Sequence, residues 1–378
     1  MNILHLSDLH LGKRVNEFSM LEDQDYILTK VINIIDAEKV DCVLIAGDVY
    51  DKSVPSAEAV QLFDDFLTRL ASRKLTIFVI SGNHDSAERI AFGSRLMSSC
   101  KVYMSPVYKG KIEPIVLADA YGPINIYMLP FIKPAHVKAY FPEETIESYD
   151  NALKAVINGM SLDSSKRNIL VAHQFVTGAE RCESEDISVG GLDNVEAATF
   201  AAFDYVALGH IHGPQSVTRV NIRYCGTLLK YSFSEVSHKK SATIVELGEK
   251  GNLSIRTLPL LPKRDMRELR GSYMEITALS NYQGTNTEDY VHITLTDEED
   301  IPDVIGKLRT IYPNIMKIDY DNKRTQSTQT VFGAENIRLK QPLELFEEFY
   351  ALQNNQEMSP EQMEFASDLI EKIRGTHE

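Results

Sequence analysis

Apolar segments of strand length alternate with helical patterns along the first two thirds of the chain. The predicted strands are almost continuously apolar, which is typical of a sheet that is covered on both faces. Residues 24–38 and 56–72 carry apolar positions at helical spacing and supply helices between the strands. The pattern predicts an α/β fold of layered sheets and helices. The predicted strands occupy residues 2–8, 40–48, 75–83, 167–174 and 203–212.

Each predicted strand ends in a polar cluster that contains histidine, aspartate or asparagine. The clusters read SDLH, GDVYD, GNHD, AHQ and GHIH in chain order. Because ligands of open α/β sheets gather beyond the carboxyl ends of the strands, we expect the clusters to share one edge of the fold. A turn would explain any single cluster, GDVYD above all. Five such clusters together favour metal binding.

The pattern changes after residue 262. Residues 262–271, PKRDMRELRG, are polar and locally basic and are interpreted as a linker. Residues 273–320 predict a β–β–α–β unit with strands at YMEITAL, YVHITLT and IMKIDYD and a helix near 301–312. QSTQT at 326–330 is interpreted as a loop. This small α+β unit has the size expected of a cap over a larger domain.

Two amphipathic helices are predicted near 342–354 and 359–374. The second has a capping-box start signal in Ser359, Pro360 and Gln362. We therefore expect three parts: a catalytic domain over 1–262, a capping domain over 263–335 and C-terminal helices over 336–378.

The side chains of the polar clusters are typical metal ligands. Two carboxylates, four imidazoles and one amide are too many for one tetrahedral zinc ion, but they suit two ions that share a bridging carboxylate. Nitrogen and oxygen ligands without sulfur favour manganese, iron or zinc over calcium or magnesium. Residues i and i+2 of extended backbone point the same way. Extended backbone would therefore bring Asp8 and His10 to one point, and His210 and His212 to another. The candidate ligands are Asp8, His10, Asp48, Asn83, His173, His210 and His212.

His84 lies outside this ligand set, beside Asn83 and before Asp85. We interpret His84 as the acid that protonates a leaving alkoxide, and Asp85 as the group that orients or charges its ring. The remaining histidines are interpreted as surface or satisfied core groups.

The charge and the cysteine content of the chain restrict its substrate class and its cellular compartment. The net charge is 39 − 54 = −15, so the overall field does not attract polyanions. A nucleic-acid substrate would need metal ions, a local basic surface or a partner to attract it.

The four cysteines are scattered without CxxC spacing, which favours a reducing compartment. The N-terminus lacks a secretion signal, and apolar runs stay far below the ~20 residues of a membrane span. We therefore expect a cytoplasmic protein without membrane contact.

The ordered set DLH, GDVYD, GNHD, a later lone histidine and GHIH resembles the calcineurin-like metallophosphoesterase superfamily over about residues 1–230. A narrower resemblance is to the nuclease subunits of SbcC–SbcD complexes. It is carried by SDLHLGK, by GDVYDKSVPSAEAV at 47–60 and by YCGTLLKYSFSE at 224–235, and it spans essentially the whole chain. The resemblance implies a sandwich of two packed sheets flanked by helices, with a capping domain and C-terminal helices.

The resemblance also implies how the metals are held. Asp48 would bridge two manganese ions, and His84 would protonate the leaving group or stabilise the transition state. The first ion would be bound by Asp8, His10, Asp48 and His212, and the second by Asp48, Asn83, His173 and His210.

The implied activities are 3′-to-5′ exonuclease on duplex DNA and endonuclease on single strands and hairpins, in DNA repair and recombination. An SbcC-like coiled-coil ATPase would make them ATP-dependent, with a homodimer of this chain inside a heterotetramer. The amphipathic C-terminal helices would dock that ATPase, although packing on the chain's own domain is the alternative. Candidate DNA contacts are Lys263, Arg264, Arg267, Arg270, Arg219, Arg223 and Lys230.

Two other functions fit parts of the sequence. One is a phosphodiesterase or phosphatase for small molecules, which would not depend on residues 263–378. The other is a non-catalytic scaffold that keeps the phosphoesterase fold. A scaffold is expected to have lost metal ligands, whereas this chain keeps the complete set.

Overall fold

The computed structural model describes residues 1–185, 193–323, 325, 342–354 and 357–375. The chain divides into two compact units, Met1–Asp265 and Met266–Glu378. All of the candidate metal ligands lie in the first unit. Its strands are β1 (Asn2–Leu6), β2 (Arg14–Val15), β3 (Phe18–Ser19), β4 (Cys42–Ala46), β5 (Thr76–Ile80), β6 (Val102–Met104), β7 (Ile115–Asp119), β8 (Gly122–Leu129), β9 (Arg167–His173), β10 (Phe175–Val176), β11 (Asn194–Val195), β12 (Tyr205–Gly209), β13 (Gln215–Val217), β14 (Arg219–Tyr224), β15 (Ser241–Leu247) and β16 (Leu253–Pro259).

The long strands form two six-stranded sheets, in the orders β16-β15-β1-β4-β5-β6 and β13-β14-β12-β9-β8-β7. Strands β1, β4, β5 and β6 run parallel in the first sheet, and β8, β9, β12 and β14 run parallel in the second. The outer strands pair antiparallel. The carboxyl ends of β1, β4 and β5 therefore meet at one edge of the first sheet, and those of β9 and β12 at one edge of the second.

The two sheets pack face to face around an apolar core. Ile3, Leu44 and Phe78 of the first sheet belong to the same buried cluster as Ile126 and Val171 of the second. Such burial stabilises the sandwich by about 25 cal/mol per Å² of apolar surface removed from water. The two-sheet α/β fold predicted from the sequence is confirmed.

Helices cover the outer faces, as the apolar runs in both sheets require. α1 (Leu21–Glu38) and α2 (Ala57–Ser72) contact each other, and α2 lies against β5. Two short helical turns follow, α3 (Ala87–Ile90) and α4 (Ser94–Met97).

The second sheet has its own helical cover. α5 (Pro134–Lys138) and α6 (Tyr149–Asn158) bury Val137, Leu153 and Val156 in a core shared with β9 and β12. Each sheet is therefore packed between the other sheet and a layer of helices, which positions the strand ends that carry the polar clusters.

The second unit contains a three-stranded parallel sheet, with β17 (Met266–Gly271), β18 (Tyr290–Leu295) and β19 (Ile315–Tyr320) in that order. The helices between these strands are α7 (Tyr273–Thr277), α8 (Leu279–Tyr282) and α9 (Val304–Arg309). Val291, Ile293 and Leu295 of the central strand pack with Leu308 and Tyr312 in a separate core.

Two expectations for this unit are wrong. Residues 266–271 of the predicted linker form an edge strand, because the parallel partner β18 satisfies their backbone. The predicted strand at YMEITAL begins as a helix instead. Ser272 Oγ accepts from the backbone N–H of Glu275 at 3.3 Å, and the Glu275 carboxylate accepts from the Ser272 N–H at 2.8 Å. This capping box starts α7 and outweighs the strand-like pattern that follows it.

The C-terminal helices are α10 (Pro342–Asn354) and α11 (Pro360–Gly375). The predicted capping box of α11 is present, with reciprocal hydrogen bonds between Ser359 and Gln362 at 2.9 and 3.2 Å. The loop predicted at 326–330 lies outside the described residues. Among the helices that the structure describes, none has the length and apolar character needed to cross a membrane.

Candidate metal centre

Loops that follow five parallel strands bring the seven candidate ligands to one place. Asp8, Asp48 and Asn83 follow β1, β4 and β5, while His173 ends β9 and His210 follows β12. Backbone hydrogen bonds join the loop after β1 to the loop after β4. The Asp8 N–H donates to Gly47 O at 3.1 Å, and the His10 N–H donates to Asp48 O at 3.0 Å. The cluster is therefore built by tertiary structure from segments far apart in the chain.

The backbone at the ligands is not extended, so the expectation that extended backbone brings them together is wrong. Asp8, His10 and Asp48 have φ of 51°, 44° and 48°, in the left-handed region that non-glycine residues rarely adopt. His210 has a φ of 107°. Turns of this kind cost free energy and persist only where surrounding contacts enforce them, and they concentrate at functional sites.

One group of ligands surrounds the point between His10 and His212. Their Nε2 atoms face each other at 3.3 Å. The Asp8 carboxylate lies within reach of both rings. Its Oδ1 accepts from the backbone N–H of His210 at 3.0 Å, whereas its fully buried Oδ2 has no hydrogen-bond partner among the described residues. A buried carboxylate oxygen without a donor is costly, and a cation at this point would satisfy it.

A second group surrounds Asn83. Its Oδ1 lies 2.9 Å from His173 Nε2 and 2.9 Å from His210 Nδ1. Asp48 Oδ2 lies 3.3 Å from His173 Nε2 and 3.8 Å from His10 Nε2, so it reaches both groups. The His173 ring donates from Nδ1 to Ala46 O at 2.8 Å, which leaves Nε2 to face the centre.

The electrostatics of the centre suit a cation between these groups. Burial alone would raise the pKa of Asp48, but the imidazoles of His173 and His10 hold it well below its usual range. Burial alone would lower the pKa of His173, but the contact with Asp48 raises it to about 9. In the metal-free protein a proton on His173 therefore supplies positive charge to Asp48, and a bound metal ion would replace it.

The imidazoles of His10 and His210 are held neutral. Burial lowers the pKa of His210 to about 3, and burial also places the pKa of His10 far below its usual range. Burial raises the pKa of Asp8 to about 6. Neutral imidazole nitrogens and carboxylate oxygens are the donors that two divalent transition-metal ions require, so the residues present fit such a pair.

His84 lies beside these groups, with a side chain that is 23% exposed. Its Nδ1 donates to the backbone carbonyl of Asp51 at 3.1 Å, and its Nε2 lies 4.0 Å from Asp48 Oδ2. A partly exposed ring whose Nε2 points at the centre has the position expected of a proton donor.

The predicted contact between Asp85 and the His84 ring is wrong. The Asp85 carboxylate accepts instead from the backbone N–H groups of Val49, Tyr50 and Gly82 at 2.9–3.1 Å. Asp85 therefore joins the loop after β4 to the loop after β5. The Asp51 carbonyl, which carries no signal in sequence, fills the role of orienting His84.

Sequence reasoning also missed the residues behind His212. Glu235 is fully buried, and its Oε1 lies 3.1 Å from His212 Nδ1. Burial would raise the pKa of Glu235, but His212 and the ammonium of Lys240 keep it well below its usual value. The available signal was the position of Glu235 at the end of the segment 224–235, which carried the family resemblance.

The two sheets approach each other closely beneath the centre, at Gly209. A Cβ atom on Gly209 would overlap the Ala46 carbonyl oxygen and lie 2.7 Å from His173 Nδ1. Glycine is required at this position because the opposing backbone and the His173 ring occupy the space of a side chain.

Family models match both parts of the chain. Residues 1–214 match the calcineurin-like phosphoesterases, and residues 262–354 match a model described as the type 5 capsule protein repressor C-terminal domain. The first match covers the loops that carry all seven candidate ligands.

Curated relatives extend this similarity to the full chain. A protein of Staphylococcus epidermidis, named as the SbcD component of the SbcCD nuclease, is 33% identical over 380 residues, which cover 99% of both chains. A protein of the same name from Staphylococcus saprophyticus is 33% identical over 344 residues, 90% of this chain and 89% of that one.

A solved structure of a dimetal phosphatase from Danio rerio resembles this chain at 12% identity and a TM-score of 0.43, over 69% of this chain and 96% of that one.

Proposed function

Because this chain belongs to the calcineurin-like phosphoesterases, and within them to the family of SbcD nuclease subunits, we propose that it is a two-metal DNA nuclease. The observation that carries the proposal is the convergence of Asp8, His10, Asp48, Asn83, His173, His210 and His212 at adjoining edges of the two sheets.

The proposed first metal position lies among Asp8, His10, Asp48 and His212, and the second among Asp48, Asn83, His173 and His210. We propose Mn²⁺ at both. Bound there, two such ions would polarise a phosphoryl oxygen and lower the pKa of a bound water. Asp48 is the proposed bridge, because its Oδ2 lies within 4 Å of imidazoles in both groups.

His84 is the proposed general acid. The bond from Nδ1 to Asp51 O holds the ring, and Nε2 faces the centre from the exposed side. A proton on Nε2 can pass to the leaving 3′ or 5′ oxygen when the phosphodiester bond breaks. General acids of this kind contribute about 10²–10⁴-fold to the rate.

DNA as the substrate draws support from the relatives that carry the name nuclease. The proposed activities are 3′-to-5′ exonuclease on duplex ends and endonuclease on single strands and hairpins. The basic residues near the start of the second unit offer limited support as DNA contacts, since Lys263 pairs with Glu22 and Arg264 with Asp23. Arg267 and Arg270 pair likewise with Asp289 and Asp321.

An SbcC-like coiled-coil ATPase is the proposed partner, as the name SbcCD of the relatives suggests. It would supply much of the DNA affinity that a chain of net charge −15 lacks. The proposed docking surface is the pair α10 and α11, which expose several large apolar side chains. They include Phe346, Phe349, Phe365 and Leu369, with exposed fractions of 43–71%.

The proposed domain roles are catalysis by 1–262, capping by 263–335 and docking by 336–378. A homodimer is proposed through α2–α4, since Phe92 and Leu96 are each 80% exposed there. Action in the cytoplasm stays a prediction from the sequence.

Nuclease assays with Mn²⁺ on linear duplex and hairpin DNA test the proposal. Wild-type protein is expected to degrade both, and His84→Gln to be about 10²–10⁴-fold slower while it still binds two Mn²⁺ ions. His136→Gln, at a histidine of the same unit that lies outside the centre, is the matched control and should retain wild-type rates. Equal rates for wild type and His84→Gln would contradict the assigned chemistry.

The acidity of the chain favours one alternative, a phosphodiesterase for small molecules. The assay therefore includes 2′,3′-cyclic AMP and bis-(p-nitrophenyl) phosphate beside DNA. Rapid turnover of these compounds without DNA cleavage, either alone or with the ATPase, would favour the alternative.

A further inference from the structure

The Nδ1 side of the His212 ring faces a buried network that the proposed chemistry does not use. Nδ1 lies 2.8 Å from Ser184 Oγ and 3.1 Å from Glu235 Oε1. The Ser184 hydroxyl donates to the same Glu235 oxygen at 2.5 Å. On the opposite side of the ring, Nε2 faces His10 Nε2 in the centre.

These contacts determine which nitrogen of His212 carries the proton. Because the Ser184 hydrogen is directed at Glu235, both the serine oxygen and the carboxylate can only accept from Nδ1. A neutral His212 therefore carries its hydrogen on Nδ1 and presents the Nε2 lone pair to the centre.

We propose that Glu235 is a positioning residue that holds His212 in this tautomer and orientation, so that its Nε2 can bind the first metal ion. The inference rests on the proposed two-metal centre and adds a residue that no local motif assigns. Outer carboxylates that accept from a metal-binding histidine typically raise metal affinity by about 10–100-fold.

Lys240 makes it possible to bury the Glu235 charge. Its ammonium donates to Glu235 Oε2 at 2.5 Å, to Thr227 Oγ1 at 2.6 Å and to the His212 backbone carbonyl at 2.9 Å. Side chains therefore hold the ring and the backbone of His212 together, and the buried carboxylate is paired as buried charges must be.

The same cluster invites another interpretation, as a third metal site. Cys182, His212 and Glu235 offer ligand atoms close to one another, and these residue types bind zinc. The Ser184 oxygen, however, lies within 2.9 Å of ligand atoms from all three residues, and the Lys240 ammonium neutralises the carboxylate. The cluster is thus a satisfied hydrogen-bond network rather than a site for a further ion.

Titration with Mn²⁺, followed by the electron paramagnetic resonance signal of the free ion, tests the role of Glu235. Wild-type protein is expected to bind two ions. Glu235→Gln should bind one of them with wild-type affinity and the other about 10–100-fold more weakly. Ser184→Ala should weaken the binding of the same ion by a smaller factor. Glu246→Gln, at a half-exposed carboxylate paired with Arg256, is the matched control and should bind both ions normally.

Urea unfolding in EDTA accompanies each titration and separates positioning from a merely structural role. Wild-type affinity for both ions in Glu235→Gln would overturn the inference, as would equal weakening of both ions in proportion to lost stability. If Glu235→Gln does not fold, Glu235→Asp takes its place, because the shorter side chain withdraws the carboxylate from His212 Nδ1; unchanged affinity for both ions in that variant would overturn the inference. A wild-type protein that binds one ion refutes the two-metal proposal instead, and weakening of that ion by Glu235→Gln still decides the role of Glu235.

Discussion

Substitution of Gly209 by alanine should separate the two sheets directly beneath the metal centre. The added Cβ would overlap the Ala46 carbonyl oxygen and lie 2.7 Å from His173 Nδ1. The Ala46 carbonyl belongs to a strand that is fully buried, so the backbone cannot move aside without disturbing the core. The hydrogen bond from His173 to Ala46 O would lengthen as the strands part.

The expected cost has two parts. Insertion of a methyl group into a closely packed core costs about 1–3 kcal/mol. Loss of the buried hydrogen bond from His173 adds about 1 kcal/mol. Gly209→Ala should therefore destabilise the protein by ~2–4 kcal/mol. With a urea dependence of about 3 kcal/mol per molar, the unfolding midpoint would fall by about 1 M.

Urea unfolding followed by circular dichroism in EDTA measures this effect without interference from bound metal. The matched control is Gly159→Ala at the end of α6, where the new Cβ would meet its nearest neighbours at 3.4–3.5 Å and φ is −74°. That variant should be neutral or more stable by about 0.4–1 kcal/mol, because alanine restricts the unfolded chain. An unchanged midpoint for Gly209→Ala would refute the close approach of β12 to β4 on which the geometry of the centre depends.

Three further predictions concern separate features. His5 is fully buried and contacts the Tyr205 hydroxyl at 2.8 Å, so His5→Phe should cost about 1–3 kcal/mol at pH 7 by leaving that hydroxyl unsatisfied. Burial lowers the pKa of His5 to about 3, so below pH ~6.5 the unfolded chain takes up a proton that the folded protein does not. The stability of the wild-type protein should therefore decrease as the pH decreases, and its difference from His5→Phe should shrink between pH 6.5 and 4. A constant difference would contradict the buried neutral ring. Mn²⁺ binding at pH 7.5 should release about one proton from His173, whose pKa is about 9 in the metal-free protein. Calorimetry in buffers of different ionisation enthalpy measures this proton release, which should disappear near pH 10. Phe92→Ser with Leu96→Ser should convert a dimer to a monomer in analytical ultracentrifugation, while Val220→Ser at another exposed apolar residue should not, and a dimer that survives the double substitution would place the interface elsewhere.

Hydrophobic patterning was sufficient to predict the layered α/β fold. Continuous apolar runs such as 42–46 and 76–80 are strands buried on both faces, because only a covered sheet hides such residues completely. The order and chemistry of the polar clusters identified the family and the seven candidate ligands that the fold brings together. These features are local in the chain, and therefore the sequence displays them directly.

Hydrogen-bond partners across long sequence separations were decided by tertiary structure alone. Asp85 follows His84, yet its carboxylate accepts hydrogen bonds from the backbone of the loop after β4. Glu235 supports His212 from 23 residues away, and nothing in the spacing of the chain announces the contact. A buried polar group must find its partners wherever the packed strands place them, since the cost of leaving it unsatisfied outweighs proximity in sequence.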